Sequence, residues 1–166
     1  MKKVLIVMDM QEITVGQAHA AFFRYDADLL QKVNAVIDTY PPDNVIYIRT
    51  VMKRGLLSRF APVQVFDGTE AAGLAADLRK VSAHCFTKCR GDAFTDAAFA
   101  EYLKKSGADT AAFAGVDGGG CVALTAETAC KKGLHVIIHT DAVGTLFPAK
   151  QEKHFSKLKQ LGAEFL

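Results

Sequence analysis

The segment Val4-Leu5-Ile6-Val7-Met8-Asp9 decides the fold, because an apolar run of five residues ends abruptly in a carboxylate. A run of this length, apolar on both faces, is typical of a strand in a parallel sheet that is covered on each side. Five other segments have a similar character. The predicted strands are Lys3–Met8, Asn44–Thr50, Ala83–Thr87, Thr110–Gly115, Leu134–His139 and Ala163–Leu166.

Segments with helical periodicity lie between these strands. The predicted helices are Asp26–Tyr40, Glu70–Lys80 after Thr69 as a possible N-cap, Thr95–Ser106 with Thr95 as the capping candidate and Gly107 as its stop, Cys121–Lys132, and Lys150–Leu161. Strands that alternate with helices indicate βαβ units with right-handed crossovers, hence a doubly wound, three-layer αβα domain. Val51–Gly68 is the one long irregular connection, which is typical of a pocket wall or an oligomer contact.

Length and composition narrow the class of protein. The 166 residues fit one domain spanning residues 1–166, and a net charge of +2 does not favour a nucleic-acid partner. The apolar runs are of strand length, so no membrane span is expected, and the N-terminus lacks the features of a signal peptide. We therefore expect a cytoplasmic protein.

The four cysteines favour free thiols in a reducing compartment over two disulfides. None forms a CxxC pair, and the chain lacks the spacing of a structural zinc site. Cys85 and Cys130 lie in segments that are predicted to be buried strand or helix, and Cys89 comes just after a predicted strand. We expect each of these three to pack as a small buried apolar residue. Only Cys121 has surroundings that indicate chemistry.

In a doubly wound sheet, ligands bind beyond the carboxyl ends of the strands. Asp9 follows the first strand, where a partly buried carboxylate is suited to proton transfer, although it could instead cap a helix. Lys88 follows the third strand and could be an ordinary exposed charge. Near Asp9 or a thiol, however, its ammonium group would stabilise the negative form of either.

Cys121 follows the fourth strand. The stretch Gly115-Val116-Asp117-Gly118-Gly119-Gly120-Cys121-Val122 leads from a strand through glycines into a helix. This places the sulfur in the first helical turn, where free N–H groups and the helix dipole favour a thiolate and can bind an oxyanion. The glycine run matches neither GxGxxG nor GxxxxGK[ST], so a nucleotide site is not indicated.

Taken together, these stretches resemble the isochorismatase-like cysteine hydrolases, a family that includes nicotinamidases and N-carbamoyl amide hydrolases. The matching segments occur in the expected order along the whole chain. They are Leu5-Ile6-Val7-Met8-Asp9-Met10-Gln11, Lys88-Cys89-Arg90-Gly91-Asp92-Ala93-Phe94, Gly115-Val116 through Cys121-Val122, Thr125-Ala126 and Asp141-Ala142. The resemblance implies a six-stranded parallel sheet with the order 3-2-1-4-5-6, and a homo-oligomer.

By the family's pattern, Asp9, Lys88 and Cys121 would form a catalytic triad. The resemblance also implies a cis peptide between Val116 and Asp117 that directs the Asp117 and Cys121 N–H groups at one oxyanion. Gln11 and Gly118 are expected to contact the substrate, a small molecule. The implied reaction is attack of Cys121 on an amide or carbamoyl carbon, giving a thioester that water resolves.

The sequence departs from the family's pattern in ways that bear on the reaction. Nicotinamidases carry an aspartate and several histidines after the second strand to hold a metal, whereas this chain reads Arg49-Thr50-Val51-Met52-Lys53-Arg54 there. We therefore expect no metal and no cofactor. Isochorismatases that cleave a vinyl ether usually lack the cysteine. Asp117 replaces a small residue, and glycines replace the usual threonine-containing turn.

Other classes of protein fit less well. A haloacid-dehalogenase phosphatase needs a second aspartate two residues after the first, where this chain has Gln11. A receiver-like signalling domain needs an acidic pair after the first strand, and Glu12 lies too far along. A catalytically idle family member that binds a small molecule, or an isochorismatase-type ether hydrolase, remains open as an alternative.

Overall fold

Every predicted strand forms, and all six lie parallel in one sheet. The computed structural model describes residues 2–16, 23–53, 55 and 65–166. The strands are β1 (Lys3–Met8), β2 (Val45–Thr50), β3 (Cys85–Lys88), β4 (Thr110–Val116), β5 (His135–Gly144) and β6 (Glu164–Phe165). Their order is β3-β2-β1-β4-β5-β6, and each neighbouring pair is parallel. The predicted order 3-2-1-4-5-6 is confirmed.

Helices cover both faces of the sheet. They are α1 (Glu12–Val15), α2 (Leu29–Ile37), α3 (Ala97–Ser106), α4 (Cys121–Lys131) and α5 (Pro148–Gln160). The apolar side chains of α2 pack with one set of sheet residues, and those of α3, α4 and α5 pack with the other set. The predicted three-layer αβα architecture is thereby confirmed.

The central strand β1 shows why this arrangement is stable. β1 contributes Leu5 and Val7 to the α2 side of the core and Val4, Ile6 and Met8 to the opposite side. All five side chains are at most 2% exposed. Burial of an aliphatic side chain of this size contributes about 1.5–3 kcal/mol each. A strand that is apolar on both faces is therefore held at the centre of the sheet. Asp9, the polar residue that follows it, lies at the carboxyl end of the strands.

The predicted helix over Glu70–Lys80 is wrong, and only a 3₁₀ turn over Glu70–Ala72 forms there. Gly73 ends this turn in an extended conformation, and the backbone that follows bonds to the chain after β1. Glu12 N–H donates to the Gly73 carbonyl at 2.9 Å, and Ala75 N–H donates to the Met10 carbonyl at 3.0 Å. These long-range bonds replace the bonds that a helix would make within itself.

The helix after β3 begins later than predicted, and its cap is Asp96 rather than Thr95. The Asp96 carboxylate accepts from Phe99 N–H at 2.8 Å, whereas the Thr95 hydroxyl donates to the Asp92 carbonyl at 2.6 Å. A carboxylate at the N-cap satisfies a free N–H and interacts favourably with the helix dipole. The helix ends at Gly107 in the left-handed conformation, with φ of 68°, as predicted.

Other boundaries differ modestly from the predictions. Thr69 precedes the 3₁₀ turn but makes no side-chain cap bond there. The helix predicted over Asp26–Tyr40 is confined to Leu29–Ile37, and β5 continues to Gly144 past an irregularity in its pairing with β4. Within Val51–Gly68, residues 54 and 56–64 lie outside the described residues.

Two of the cysteines predicted to be buried are exposed. Cys85 and Cys89 are both solvent-exposed, whereas Cys121 and Cys130 are partly buried, and all four are free thiols. Cys85 lies on β3 at the edge of the sheet, where the Arg49 Nε–H donates to its sulfur at 3.3 Å. The apolar character of the segment was therefore not sufficient to predict burial at an edge strand.

A buried carboxylate links the helix that starts at Cys121 to the last helix. Glu127 on α4 is 4% exposed, and its Oε1 lies 2.7 Å from His154 Nδ1, while Lys157 Nζ contacts its Oε2. Burial acts to raise the pKa of Glu127, but its hydrogen bonds to Lys157 and His154 outweigh this effect and lower the pKa. The ionised form is therefore the one that stabilises the α4–α5 contact.

Replacing Glu127 by glutamine is expected to lower the free energy of unfolding at pH 7 by about 2 kcal/mol, the contribution of hydrogen bonds to a charged group. Because the folded pKa is lowered, this contribution exists above the ordinary glutamate pKa and is lost as the pH falls through the folded value. The free energies of unfolding of the wild type and Glu127→Gln, measured by urea titration from pH 7 to pH 3, should therefore converge as the pH falls. Glu152→Gln, on the exposed side of α5, is the control, and an unchanged Glu127→Gln stability at pH 7 would contradict the expectation.

Candidate active site

Asp9, Lys88 and Cys121 come together at the carboxyl edge of the sheet. Lys88 Nζ lies 2.8 Å from Asp9 Oδ2 and 3.1 Å from Cys121 Sγ. Asp9 is 4% exposed and Lys88 is 2% exposed, so their ion pair is withdrawn from water. A buried charge of this kind needs a partner. The three predicted site residues thus form one contact group, which we call the Asp9–Lys88–Cys121 cluster.

The sheet order explains why a lysine occupies this position. Lys88 ends β3, Asp9 follows β1, and β2 lies between these strands. Since neighbouring strands are about 4.8 Å apart, a residue on β3 must reach across about 10 Å to meet the end of β1. The Lys88 side chain, the Asp9 side chain and the hydrogen bond between them together span that distance over the end of β2. The alternative that Lys88 is an exposed surface charge is therefore wrong.

Thr50 is a member of this site that sequence reasoning missed. It pairs with Lys88 in the β2–β3 register. Its hydroxyl accepts from Lys88 Nζ at 2.5 Å and donates to Asp9 Oδ1 at 3.0 Å. The ammonium group therefore has three partners, which match its three N–H bonds. A threonine at the end of a strand is too ordinary to be singled out in a sequence.

The backbone around Asp9 fixes the direction of its carboxylate. Asp9 has φ of 51°, in the left-handed region, which aspartate tolerates better than most residues. Its N–H donates to the Ile48 carbonyl at 2.9 Å, and the Thr14 hydroxyl donates to its carbonyl at 2.5 Å. Bonds on both sides of the residue thus hold a conformation that turns the chain sharply after β1.

The structure gives Gln11 a role in this framework. Its side-chain Nε2 donates to the carbonyls of Thr50 at 2.9 Å and Ala72 at 3.0 Å, and its Oε1 accepts from Thr50 N–H at 2.7 Å. Gln11 is 1% exposed. With its donors and acceptor bonded to the backbone, Gln11 fixes the end of β2, and with it Thr50, rather than offering its amide to a substrate.

The glycine-rich turn between β4 and α4 is shaped by close packing. Gly115 has φ of 110°, and a side chain there would clash with the Met8 carbonyl. A Cβ at Gly118 would lie 2.6 Å from Gln151 Nε2, and one at Gly119 would lie 2.8 Å from the Phe147 carbonyl. Gly118 therefore packs against α5, and the predicted substrate contact at Gly118 has no support from this packing.

The peptide bond between Val116 and Asp117 is cis. In the turn that follows, backbone carbonyls accept from the N–H groups of Gly118, Gly120 and Val122, and the Asp117 side chain accepts from the Gly119 N–H. The N–H groups of Asp117 and Cys121 have no acceptor within the described part of the chain. Both belong to the turn at the N-terminus of α4, where free N–H groups favour an anion. If the Cys121 sulfur attacked a carbonyl carbon, the oxyanion on the former carbonyl oxygen would be a suitable acceptor.

The Asp117 side chain organises this turn, which the sequence did not indicate. Its Oδ1 accepts from Gly119 N–H at 2.6 Å and from the Thr145 hydroxyl at 2.8 Å. Its Oδ2 accepts from Leu146 N–H at 2.6 Å and from the Tyr25 hydroxyl at 3.2 Å. One carboxylate therefore joins the turn to the β5–α5 connection and to the segment before α2.

The sulfur is a thiol in the resting site, which corrects the expectation of a thiolate. Burial, followed by the charge of Asp9 and a hydrogen bond with it, raises the pKa of Cys121 to about 11, although Lys88 acts in the opposite direction. Burial acts to lower the pKa of Lys88, but its interactions with Asp9 and Cys121 raise it overall. At neutral pH the cluster therefore holds a protonated sulfur and a charged ammonium group.

This protonation state predicts a slow, steeply pH-dependent alkylation of Cys121. Since the thiolate is the nucleophile, a pKa of about 11 leaves roughly a hundredfold less thiolate at pH 7 than in an ordinary cysteine. We expect the rate with iodoacetamide, resolved by peptide mass spectrometry, to rise with pH beyond pH 10. The exposed Cys89 in the same protein is the internal control. A plateau for Cys121 near pH 8 would contradict the expectation.

The residues near the end of β2 do not suit the metal that the family resemblance suggests. Arg49, Thr50, Val51 and Met52 offer neither a carboxylate nor an imidazole there. Within residues 2–16, 23–53, 55 and 65–166, no group of three or more His, Cys, Asp or Glu side chains is placed to hold a metal ion. Over the same residues, no helix is long and apolar enough to cross a membrane.

Comparison with known proteins agrees with this architecture. N-carbamoylsarcosine amidase from Thermoplasma acidophilum is 21% identical, with a TM-score of 0.78 over 99% of this chain and 95% of that chain. The pyrazinamidase of Pyrococcus horikoshii, solved in complex with zinc, is 23% identical, with a TM-score of 0.81 over 100% and 99%. Nicotinamidase/pyrazinamidase from Bacillus subtilis is 22% identical, with a TM-score of 0.81 over 99% of both chains.

At these identities the solved structures show the same fold and no more. No curated protein sequence matches the chain. The model of the isochorismatase domain, however, matches residues 3–166, which is nearly the whole sequence. The chain belongs to the isochorismatase domain family.

Proposed function

We propose that this protein is a metal-independent cysteine hydrolase that cleaves the C–N bond of a small amide or carbamoyl compound through a thioester. The observation that carries the proposal is the contact of Lys88 Nζ with both Asp9 Oδ2 and Cys121 Sγ, at 2.8 Å and 3.1 Å. A base and a nucleophile that both contact one buried cation are the parts that covalent acyl transfer uses.

In the first step Asp9 removes the thiol proton while Cys121 Sγ attacks the carbonyl carbon. The carbonyl π electrons move to the oxygen, and the Asp117 and Cys121 N–H groups stabilise that oxyanion. A base is needed because the thiol pKa is about 11. Lys88 stays charged and offsets the negative charge that passes between the sulfur and Asp9.

In the second step the tetrahedral intermediate collapses. Asp9 returns its proton to the leaving nitrogen, the C–N bond breaks, and ammonia or an amine departs from the acyl-thioester. Asp9 then accepts a proton from water as that water attacks the thioester carbon. The C–S bond then breaks, the carboxylic or carbamic acid leaves, and Asp9 returns the proton to the Cys121 sulfur.

Two features favour C–N cleavage over the alternatives. The residues that follow β2 lack the carboxylate and imidazole groups of a metal-assisted site, so the residues of the cluster must supply the chemistry themselves. The neighbours of known activity named above are amidases, and their reactions involve C–N bonds. A vinyl ether hydrolase would have no need of Cys121 as a nucleophile.

The substrate of such an enzyme is a small molecule. We further propose that the protein is cytoplasmic and forms a homo-oligomer. A cytoplasmic location fits the four free thiols. A homo-oligomer fits the exposed apolar side chains of Leu124 and Phe147, which are 39% and 50% exposed near the start of α4 and α5. Size-exclusion chromatography with light scattering measures the oligomeric state directly.

The proposal is tested by offering the purified protein a panel of small primary amides, N-carbamoyl compounds, esters and a vinyl ether. Release of ammonia or amine, with an acyl adduct on the Cys121 peptide after acid quench, is the expected result. Turnover of the vinyl ether alone would favour the ether hydrolase. Binding of a panel member without turnover or an adduct would favour the catalytically idle family member.

A further inference from the structure

Tyr25 is a polar side chain bonded to the turn before α4, and the proposed mechanism does not use it. Its hydroxyl donates to Asp117 Oδ2 at 3.2 Å. Its ring packs against the end of β5, where a Cβ at Gly144 would lie 3.0 Å from Tyr25 Cδ1. Gly144 in turn accepts from Gly118 N–H at 2.9 Å. Tyr25 is therefore attached to the turn that carries the Asp117 and Cys121 N–H groups.

The single proton of the Tyr25 hydroxyl is already committed. An ionised carboxylate only accepts hydrogen bonds, so the 3.2 Å contact requires Tyr25 to be the donor. Three other donors, from Gly119, Thr145 and Leu146, fill the remaining positions around Asp117. What the hydroxyl has left are its lone pairs, which can accept a hydrogen bond but cannot supply one.

The electrostatics agree with this assignment. Burial, then the charge of Asp117 and the hydrogen bond to it, and then the charges of Cys121 and Asp9 raise the pKa of Tyr25. The hydroxyl is therefore close enough to the cluster to respond to its charges, and it stays protonated. Counting Asp9, Asp117 and Lys88, the surroundings carry one more negative than positive charge. A carboxylate placed beside the Tyr25 hydroxyl would find no donor in Tyr25 and would face the negative charge of Asp117.

We propose that Tyr25, oriented by Asp117, is a specificity-determining residue that accepts a hydrogen bond from a substrate N–H. It thereby selects neutral amides that carry an N–H over substrates with a carboxylate next to the reacting group. This inference rests on the proposed function only in taking the substrate to be an amide. Asp117 is a positioning residue, since it acts through the Tyr25 hydroxyl. The selection depends on Asp117, which stands where the family's pattern has a small residue and which takes the hydroxyl proton of Tyr25 in a hydrogen bond.

Alkylation of Cys121 tests this selection without requiring hydrolysis. Iodoacetamide carries N–H donors, N,N-dimethyl-iodoacetamide lacks them, and iodoacetate carries a negative charge. The rate of each reagent with Cys121 is measured at one fixed pH by peptide mass spectrometry and divided by its rate with glutathione. We expect the normalised rates of the wild type to favour iodoacetamide over the other two reagents by about fivefold or more.

In Tyr25→Phe we expect the preference for iodoacetamide over the dimethyl reagent to fall by about fivefold, the effect of one hydrogen bond. The control Tyr40→Phe removes a hydroxyl that bonds to His139 Nε2 at 2.8 Å, outside the cluster, and should leave the preference unchanged. In Asp117→Asn the discrimination against iodoacetate should shrink towards the glutathione ratio. This second variant keeps the test decisive if Tyr25→Phe is poorly folded.

Equal slowing of all three reagents in Tyr25→Phe would mean a purely structural role and would overturn the inference. So would a wild-type preference no greater than that of glutathione. The outcome is separable from the proposed function, because the reagents report on the space before the sulfur even if no amide is hydrolysed. Conversely, amide turnover without any reagent preference would support the hydrolase and reject the role of Tyr25.

Discussion

Replacing Cys121 by alanine is expected to lower amide turnover by about 10⁴-fold or more, with any remaining rate close to background. Removing the nucleophile of a covalent mechanism leaves only the binding site and the oxyanion N–H groups to act. Alanine is close to cysteine in size and favours helix, so α4 should still begin at position 121. Ammonia release from the best amide of the panel, measured at matched protein concentration, gives the comparison.

Cys130→Ala is the matched control, because Cys130 lies on the same helix and is also partly buried. Its turnover should equal that of the wild type. A second readout separates loss of chemistry from loss of binding: the wild type should accumulate an acyl adduct on the Cys121 peptide, and the variant should accumulate none. Equal turnover by Cys121→Ala and the wild type would rule out the thioester mechanism.

The fold was largely predictable because its strongest signals are local. β1 and β4 are runs of buried residues long enough to form strands, and the order of the sheet followed from the family resemblance that their ends indicated. The failed helix over Glu70–Lys80 shows the limit of local signals. Its backbone bonds to residues 10–12 instead of to itself, and a long-range pairing of this kind leaves no periodic trace in the sequence.

The candidate site divides in the same way. Asp9, Lys88 and Cys121 could be singled out because each one is an unexpected residue type at the end of a predicted strand or at the start of a helix. Thr50 could not be, since its importance depends on the register that places it opposite Lys88. Tyr25 lies 92 residues from Asp117 in the chain. Its contact with Asp117 exists only once the sheet has assembled.

The protonation state of Cys121 was the least predictable property. The helix start favours a thiolate, and so does Lys88, but burial and the neighbouring carboxylate of Asp9 act more strongly in the opposite direction. The balance among these effects depends on distances of a few ångströms. The thiol of Cys121 therefore stays protonated at neutral pH, and under the proposed mechanism Asp9 has to remove that proton.

Replacing Asp9 by asparagine is therefore expected to change two rates in opposite directions. Hydrolysis should fall by about 10³-fold, because the variant cannot carry the proton from the thiol to the leaving nitrogen. Alkylation of Cys121 by iodoacetamide at neutral pH should become faster, because the charge and hydrogen bond of Asp9 raise the thiol pKa and their loss lowers it. Ammonia release and peptide mass spectrometry measure the two rates on the same protein sample.

Opposite changes distinguish a base from a structural carboxylate, because a disturbed site would alter both rates without this pattern. The loss of a partner for the buried Lys88 lowers stability, so thermal denaturation must first establish that the variant is folded at the assay temperature. Asp43→Asn is the control, since Asp43 is exposed in the turn just before β2. This turn lies at the amino ends of the strands, whereas the cluster lies at their carboxyl ends. If Asp9→Asn slowed both reactions equally while staying folded, Asp9 would hold the site together without transferring the proton.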